Sequence, residues 1–380
     1  MGIDLKKYLD ELEVLVNIDS GSYDVEGLNK MADALEEMYK NDGLFVTRRR
    51  LEPEGHPHLV AATHDMNELS GIEKPWDIMF IGHIDTVFPA GTASERPFTV
   101  DGNNVKGPGA ADMKAGDLMA LHLIRELRNE FPDKCFAIVN NGDEELGSPY
   151  SGELLLELAK NAKYALDMEP GRITGNFVHE RKGSLEYWVD IHGLASHAGS
   201  YPDKGASSIR EAGRWIETCA KLHKSLPGLT VNVGVINGGT ASNVVPEHTH
   251  MKIDVRIMDY SQAEVVEKAF NELVANPFDE RIKTEYIKYS DMPPMKFTDE
   301  AKMMVEILKE EAAKMNYEFD FESSGGASDA SFVSGGGTPI IDACGPHGDN
   351  LHNDKEYFLL DTVEKRYTLI ANLIRRLLSK

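Results

Sequence analysis

Cysteine is scarce in this chain, with 3 in 380 residues. Cys135, Cys219 and Cys344 are far apart and odd in number, which argues against a disulfide framework and for a reducing, cytoplasmic setting. Cys135 and Cys344 lie in apolar, strand-like runs and read as small core residues. Positive charge is also in short supply. Lys and Arg number 40 against 63 Asp and Glu, a net charge of −23, which argues against nucleic acid and anionic membranes as partners. No apolar run approaches the roughly 20 residues of a membrane span. The stretch MGIDLKKYLDELEVLVNI has neither the apolar core nor the small-residue cleavage site of a signal peptide. Leu5 and Lys6 do not give the Ser or Thr of a myristoylation signal. The glycine-rich GGASDASFVSGGG lacks the GxxxxGK(S/T) pattern of a phosphate-binding loop. Internal repeats and low-complexity tracts are absent too.

The chain does have length and a core. Hydrophobic residues make up 41%, and the length predicts two or three domains. Apolar spacing predicts helices over 3–18 and 27–41. Strand-like FVTRRR, HLVAAT and DIMFIGHI follow, then a helix over 115–130, the strand CFAIVNN, a helix over 151–162 and the strand YALDME. This alternation predicts an α/β domain with a mainly parallel sheet. Near residue 178 the pattern changes. HERKGSLEYWVDIHG alternates like an antiparallel strand, then come a helix over about 205–225, TVNVGVIN, HTHMKIDVRIMD, a helix over 261–275 and RIKTEYIKYS. The order β-α-β-β-α-β predicts a ferredoxin-like α+β domain over 179–291. It is inserted into an α/β domain made of 1–178 and 292–380, whose second part carries a helix over 298–315, FDFES, TPIIDACG and a closing helix over 361–379.

Metal-ligand residue types fall just after the strand runs, where open α/β sheets place their sites. His83 and Asp85, in IGHIDTVF, point to the same side of an extended segment. A ligating histidine usually gives its second ring N–H to an orienting acceptor, and Asp85 is placed to serve. Alone, the pair is equally a surface loop. Asp112 follows KGPGAAD, where glycines let the backbone turn tightly. Its carboxylate can bridge two cations or simply cap the next helix. Asp143, Glu144 and Glu145 end the apolar AIVNN as three adjacent acids with no adjacent base. A cation relieves their repulsion, and neighbouring acids can divide the work, one binding metal and one accepting a proton from water. The plainer alternative is a solvated helix start. Asp167 and Glu169 close YALDME, and either could ligate. His352 competes with His347 for one ligand position. Imidazoles and carboxylates without thiolate suit zinc or another borderline divalent ion. His56, His58, His64 and His122 read as surface residues. In the insert, His197 lies in the turn SHAGSYP, Asn243 in TASNVVPE, and Arg256 ends MKIDVRI, as a surface residue or as a fork for a substrate carboxylate.

In this order, GHIDTVF, GPGAADMKAG, DEELGS, MEPG, SHAG, SNVVP and DVR resemble the blocks of the dinuclear zinc metallopeptidases that include glutamate carboxypeptidase, aminoacylase, peptidase T and succinyl-diaminopimelate desuccinylase. The likeness runs from about residue 75 to 360 and is strongest to the glutamate carboxypeptidase branch, through PFTVDGNNVKGPGAADMKAG and DMEP. The resemblance implies two zinc ions, with cobalt or manganese as substitutes. Asp112 would bridge them, His83 and Glu169 would complete one site, and Glu145 and His352 the other. It implies Glu144 as general base, Asp85 as support for His83, a cis peptide after Asp112 and His197 as oxyanion donor. Arg256 and Asn243 would hold the substrate, and Gly326 and Ser328 would line its pocket. The insert would act as lid and dimerisation domain of a homodimer. Ser207 departs from the family, which often has Asn there, a change bearing on packing or specificity.

The resemblance thus implies metal-dependent hydrolysis of an amide next to a free α-carboxylate, in a small peptide, by an exopeptidase. A deacylase of N-acyl amino acids uses the same machinery. A catalytically silent zinc-binding scaffold is the reading of another class, and the filled ligand positions and Glu144 speak against it.

Overall fold

The computed structural model describes residues 2–51, 55–69 and 71–379. Contacts divide the chain into two compact units. One comprises Met1–Glu180, Met295–Ser324 and Ser328–Lys380, the other Arg181–Pro294 and Gly325–Ala327. The small segment 325–327 therefore leaves the stretch 292–380 in which the sequence placed it.

The first unit is built on a six-stranded sheet. Its spatial order is Phe45–Leu51, His56–Ala62, Phe136–Asn141, Trp76–His83, Ala162–Asp167 and Ile340–Ile341. Trp76–His83 is buried at every position, and between Asp77 and His83 its sequence is a continuous apolar run rather than an alternating one. It pairs in parallel with Phe136–Asn141 and with Ala162–Asp167, which pairs in parallel with Ile340–Ile341. The other two pairings are antiparallel, so the sheet is mixed though mostly parallel. Phe45–Leu51 and His56–Ala62 lie too close in sequence for a parallel crossover, which needs about a dozen residues or more. His56 and His58, expected at the surface, are instead buried within this sheet. His56 Nε2 lies 2.9 Å from the Ser22 carbonyl, and His58 Nδ1 lies 4.0 Å from Asp143. His122 is buried as well, its Nε2 2.8 Å from Glu11. A histidine in a short apolar run can satisfy its ring on partners distant in sequence, which local patterning does not reveal.

Helices cover the sheet for ordinary amphipathic reasons. Leu5–Val16 is capped by Asp4, whose side chain accepts from the Lys7 amide, and buries Tyr8, Leu12, Leu15 and Val16. Ala115–Glu130 is instead buried on every side from Ala115 to Ile124, as a helix inside the core. Its start packs against the end of a sheet strand. A Cβ at Gly116 would fall 1.9 Å from the Met168 carbonyl oxygen, so only glycine permits this approach. A small antiparallel sheet in the order Gly348–Asp349, Tyr357–Leu359, Asn104–Lys106 and Thr99–Asp101 holds the loop around residue 352 beside the segment leading to Asp112.

The second unit is a four-stranded antiparallel sheet in the order Thr230–Gly238, His248–Ile257, Gly183–His192 and Lys283–Met292. Helices Ser208–Leu222 and Tyr260–Ala275 are its crossovers, giving the split βαβ connectivity. Gly183–His192 alternates strictly in burial. Leu185, Tyr187, Val189 and Ile191 join Trp215, Phe270, Met251 and Ile253 in a separate core. Cys135, Cys219 and Cys344 are all buried as free thiols. Among the described residues no helix is long and apolar enough to cross a membrane.

Candidate metal centre

The parallel register brings the carboxyl ends of three strands together. His83 stands opposite Asn141, and Ile81 opposite Asp167. The segments leaving these ends carry Asp85, Asp143–Glu145 and Glu169. Two groups of metal-ligand type form there and share one residue, His83–Asp112–Glu169 and Asp112–Glu145–His352. His83 Nε2 lies 3.2 Å from Asp112 Oδ1 and 3.6 Å from Glu169 Oε1. His352 Nε2 lies 3.1 Å from both Asp112 Oδ2 and Glu145 Oε2. The two oxygens of Asp112 thus face different histidines, the disposition a bridging carboxylate needs. The first group is largely buried, whereas the His352 side chain is 55% exposed, so the centre has an open side.

Asp85 organises this end of the sheet. It is fully buried, and its carbonyl oxygen lies 3.0 Å from His83 Nδ1, closer than its carboxylate at 3.4 Å. The carboxylate accepts the backbone N–H groups of Glu144 and Glu145 at 3.2 and 3.1 Å, and the Ser22 hydroxyl at 2.8 Å. One residue therefore orients the imidazole and fixes the turn carrying Glu144 and Glu145. Asp143 accepts the amides of Tyr150 and Ser151, tying the same turn to the helix Ser151–Ala159.

Asp112 does not cap the following helix. Lys114 holds the N-cap position of Ala115–Glu130, and its side chain makes no capping bond. The Asp112–Met113 peptide is cis. The amides of Ala111 and Asp112 donate to Glu356 Oε1 at 2.8 and 3.2 Å. Glu356 is 2% exposed; burial and then the Asp112 charge push its carboxyl up to about 7. Glu356 thus joins Asp112 to the segment that follows His352. Replacing Glu356 by alanine should lower zinc affinity about 10- to 100-fold, the usual cost of losing a group that orients a ligand. Glutamine keeps the accepting oxygen and should lose less. Calorimetric zinc titration of both variants decides it, and wild-type affinity in the alanine variant would remove Glu356 from this role.

The electrostatics follow from crowding. Burial alone would lower the His83 pKa, but the carboxylates of Asp112, Asp85, Glu144 and Glu169 raise it well above the usual value. His352 is raised to about 10 by Asp112 and Glu145. Glu144 is raised well above the normal carboxyl range, by burial first and then by the neighbouring acids Glu169, Asp329 and Glu145. Asp329 is buried, bonded to the Ser148 hydroxyl, and raised by burial to about 7. Carboxylates crowded around two imidazoles form a candidate cation site, because a cation would offset their mutual repulsion. The donor set of two histidines and three carboxylates, with no thiolate and with the second nitrogen of His83 already oriented, fits zinc or a similar divalent ion.

The structure separates the members of two alternatives left open by the sequence. His347 is buried, its Nε2 2.6 Å from the Tyr317 hydroxyl, and lies in neither group. Asp167 turns its carboxylate to the Ser328 hydroxyl and the Ala330 amide, each at 3.2 Å, and Glu169 is the group member. Ser328 is 3% exposed, with its hydroxyl between Asp167 and Asp342. It supports a buried network rather than lining a pocket. Gly326 belongs to the second unit, where its carbonyl accepts from Arg181.

Within the second unit, His197 and Asn243 are neighbours. Ser196–His197 pairs with Val244–Val245, and the Ala198 amide donates to the Asn243 carbonyl at 2.9 Å. His197 Nδ1 accepts the amides of Gly199 and Ser200 at 3.2 and 3.0 Å, so the neutral ring carries its proton on Nε2 and presents a donor. Arg256 lies along its own strand against Asp254, with Nε 3.0 Å from Oδ1. Sequence reading missed Ser22, Glu356 and Asp329 as parts of the centre. Only the fourth-residue spacing of Glu356 from His352 gave any signal for one of them.

Comparison with known proteins finds relatives over most of the chain. The model of the family described as Peptidase family M20/M25/M40 matches residues 79–376. Carboxypeptidase G2 from a Pseudomonas species is 29% identical over 372 residues, covering 96% of this chain and 87% of that protein. Succinyl-diaminopimelate desuccinylase from Shewanella pealeana is 29% identical over 327 residues, covering 79% of this chain and 82% of the other. The crystal structure of aminopeptidase PepT from Bacillus cereus has the same fold, with a TM-score of 0.78, 23% identity and 99% of each chain covered.

Proposed function

We propose, for a chain that belongs to peptidase family M20/M25/M40, that it is an exopeptidase releasing an amino acid with a free α-carboxylate, glutamate first among the candidates. It is a metal-dependent hydrolase of peptide or amide bonds, as its family and its carboxypeptidase and deacylase relatives establish. The single observation that supports a two-metal hydrolase is the shared carboxylate of Asp112 between two candidate ligand groups, each completed by one histidine and one glutamate, while the carboxypeptidase relative favours the exopeptidase over the deacylase. Two zinc ions would be held by His83, Asp112 and Glu169, and by Asp112, Glu145 and His352. When bound they supply Lewis acidity that acidifies water and polarises a carbonyl.

The chain's own groups do the rest. Glu144 takes a proton from the attacking water as its oxygen bonds to the amide carbon, then gives that proton to the leaving nitrogen as the C–N bond breaks. Asp85 keeps His83 and the Glu144 turn in place. His197, its Nε2 fixed as a donor, would stabilise the oxyanion. Arg256 and Asn243 would bind the substrate, Arg256 at the free carboxylate. Deacylation of an N-acyl amino acid is the second reading, favoured by the desuccinylase relative.

A cytoplasmic homodimer with the second unit as lid and dimerisation element completes the proposal. The buried free thiols support the compartment. The edge strands of that unit leave Val235, Ile236, Ile287 and Tyr289 exposed, which supports pairing. The test is a hydrolysis screen of zinc-loaded protein, with a chelated control, against dipeptides, longer peptides, γ-linked glutamates and N-acyl amino acids, read by mass spectrometry. Metal-dependent release of a carboxyl-terminal residue from peptides is the expected result. Release from N-acyl amino acids alone would move the assignment to a deacylase.

A further inference from the structure

The outer face of the second unit's sheet carries a row of polar side chains that crosses all four strands. Asn237 stands opposite His250, His250 opposite Asp190, and Asp190 opposite Glu285. The neighbouring Thr249, Met251, Val189 and Ile191 are buried, so strand alternation turns the row away from the core. His248 lies two residues before His250 and shares its face. Both imidazoles converge on one carboxylate. His248 Nε2 lies 2.9 Å from Asp190 Oδ1, and His250 Nδ1 lies 3.2 Å from each Asp190 oxygen. His192, opposite His248, stacks on it with ring centroids 4.9 Å apart and steadies that ring. Lys283 stands opposite His192 in the next row.

The charges of this row call for a cation. Asp190 and Glu285 are directly opposed acids, and like charges so placed are destabilising. Burial would raise the Asp190 carboxyl, but His248 and His250 hold it below its ordinary value. Lys252, next along the strand on this face, is turned onto the Trp188 ring, its ammonium 4.1 Å from the centroid. In a neutral imidazole the proton can move to the far nitrogen, and the nitrogen facing Asp190 then offers a lone pair. Two such nitrogens with carboxylate oxygen suit zinc, copper or nickel. The His248 side chain is 49% exposed, so its ring can turn to close around an ion. His248 and His250 also line a cavity of about 290 Å³, which leaves an ion there an open side. The site is separate from the residues already discussed. Arg256 lies about 20 Å further along the strand from His250, and none of these donors belongs to the two ligand groups of the first unit. We propose that this face binds a divalent transition-metal ion through His248, His250 and Asp190, with Glu285 offsetting the remaining charge.

The probe is Cu2+, added at one equivalent per chain to zinc-loaded protein and read by electron paramagnetic resonance. Each ligand group of the first unit offers one imidazole, His83 or His352, whereas this face offers two. The wild type should show splitting from two imidazole nitrogens, and His248→Ala should show one fewer. Calorimetric titration with zinc is the second readout. The wild type should take up one more ion per chain than the double variant His248→Ala/His250→Ala. Both histidines point away from the core, and melting curves recorded without metal confirm that the variants are folded. A wild-type copper spectrum with one nitrogen or none, or equal zinc uptake by the wild type and the double variant, would overturn the proposal.

Discussion

Glu144→Gln should retain both zinc ions and lose about a thousandfold in kcat, within the range that removal of a general base produces. That corresponds to about 4 kcal/mol of barrier. Glutamine preserves shape and can still hydrogen-bond water, but it cannot accept a proton at neutral pH. Glu144 lies in neither ligand group, so metal content measured by elemental analysis should not change. The Asp85 bond to the residue 144 amide survives the substitution, since it uses the backbone. The variant separates holding the cation from moving the proton. Turnover near wild type would sink the general-base assignment, and loss of metal would show that Glu144 acts as a ligand instead.

The second large effect is at Asp112. Asp112→Ala leaves His83 with Glu169 at one position and Glu145 with His352 at the other, two protein ligands each where three stood. Both ions should be lost on gel filtration, and hydrolysis should fall to the level of a chelated control. Thermal denaturation gives a readout independent of activity. A ligand at 100 times its Kd stabilises the native state by about 2.7 kcal/mol, so zinc should raise the Tm of the wild type and leave the variant unmoved. Without metal the variant should be less stable than the wild type, because Asp112 sits between His83 and His352 at 3.2 and 3.1 Å and both imidazoles hold its buried carboxyl ionised, so the zinc-induced shift is compared within each protein. Two ions retained by Asp112→Ala would end the bridging interpretation.

Much of this centre can be read from the chain because its parts sit in short segments directly after strands. His83, Glu145 and Glu169 each follow a run whose apolar character marks a buried strand, and parallel strands with matched register must bring their carboxyl ends together. Harder to read was anything depending on partners far along the chain. Glu356 reaches Ala111 and Asp112 across 245 and 244 residues. Ser22 reaches Asp85 across 63. No local period encodes such contacts. Strand direction was similarly hidden. His56–Ala62 is buried throughout and runs antiparallel to Phe136–Asn141, and a continuous apolar run fits either direction. Ser328 shows the opposite error. A serine in a glycine-rich loop suggests a ligand-facing hydroxyl, but burial turned it inward to Asp167 and Asp342.

The main stretch of the second unit, Arg181–Pro294, begins and ends on neighbouring strands. Ser184 stands opposite Met292, and a Cβ on Gly183 would meet the Met292 carbonyl oxygen at 2.8 Å. Chain entropy treats a connection by the separation of its ends and only weakly by its length, each doubling adding about 0.6 kcal/mol. Because that stretch's own core already holds its ends together, its length adds little to the entropy of closing the chain between Glu180 and Met295. Such a cassette can diverge, lengthen or be exchanged for another with juxtaposed ends without reopening the topology that carries the ligands. The same arrangement makes a shortened chain, with a short linker in place of the cassette, a natural vessel for studying the two ligand groups alone.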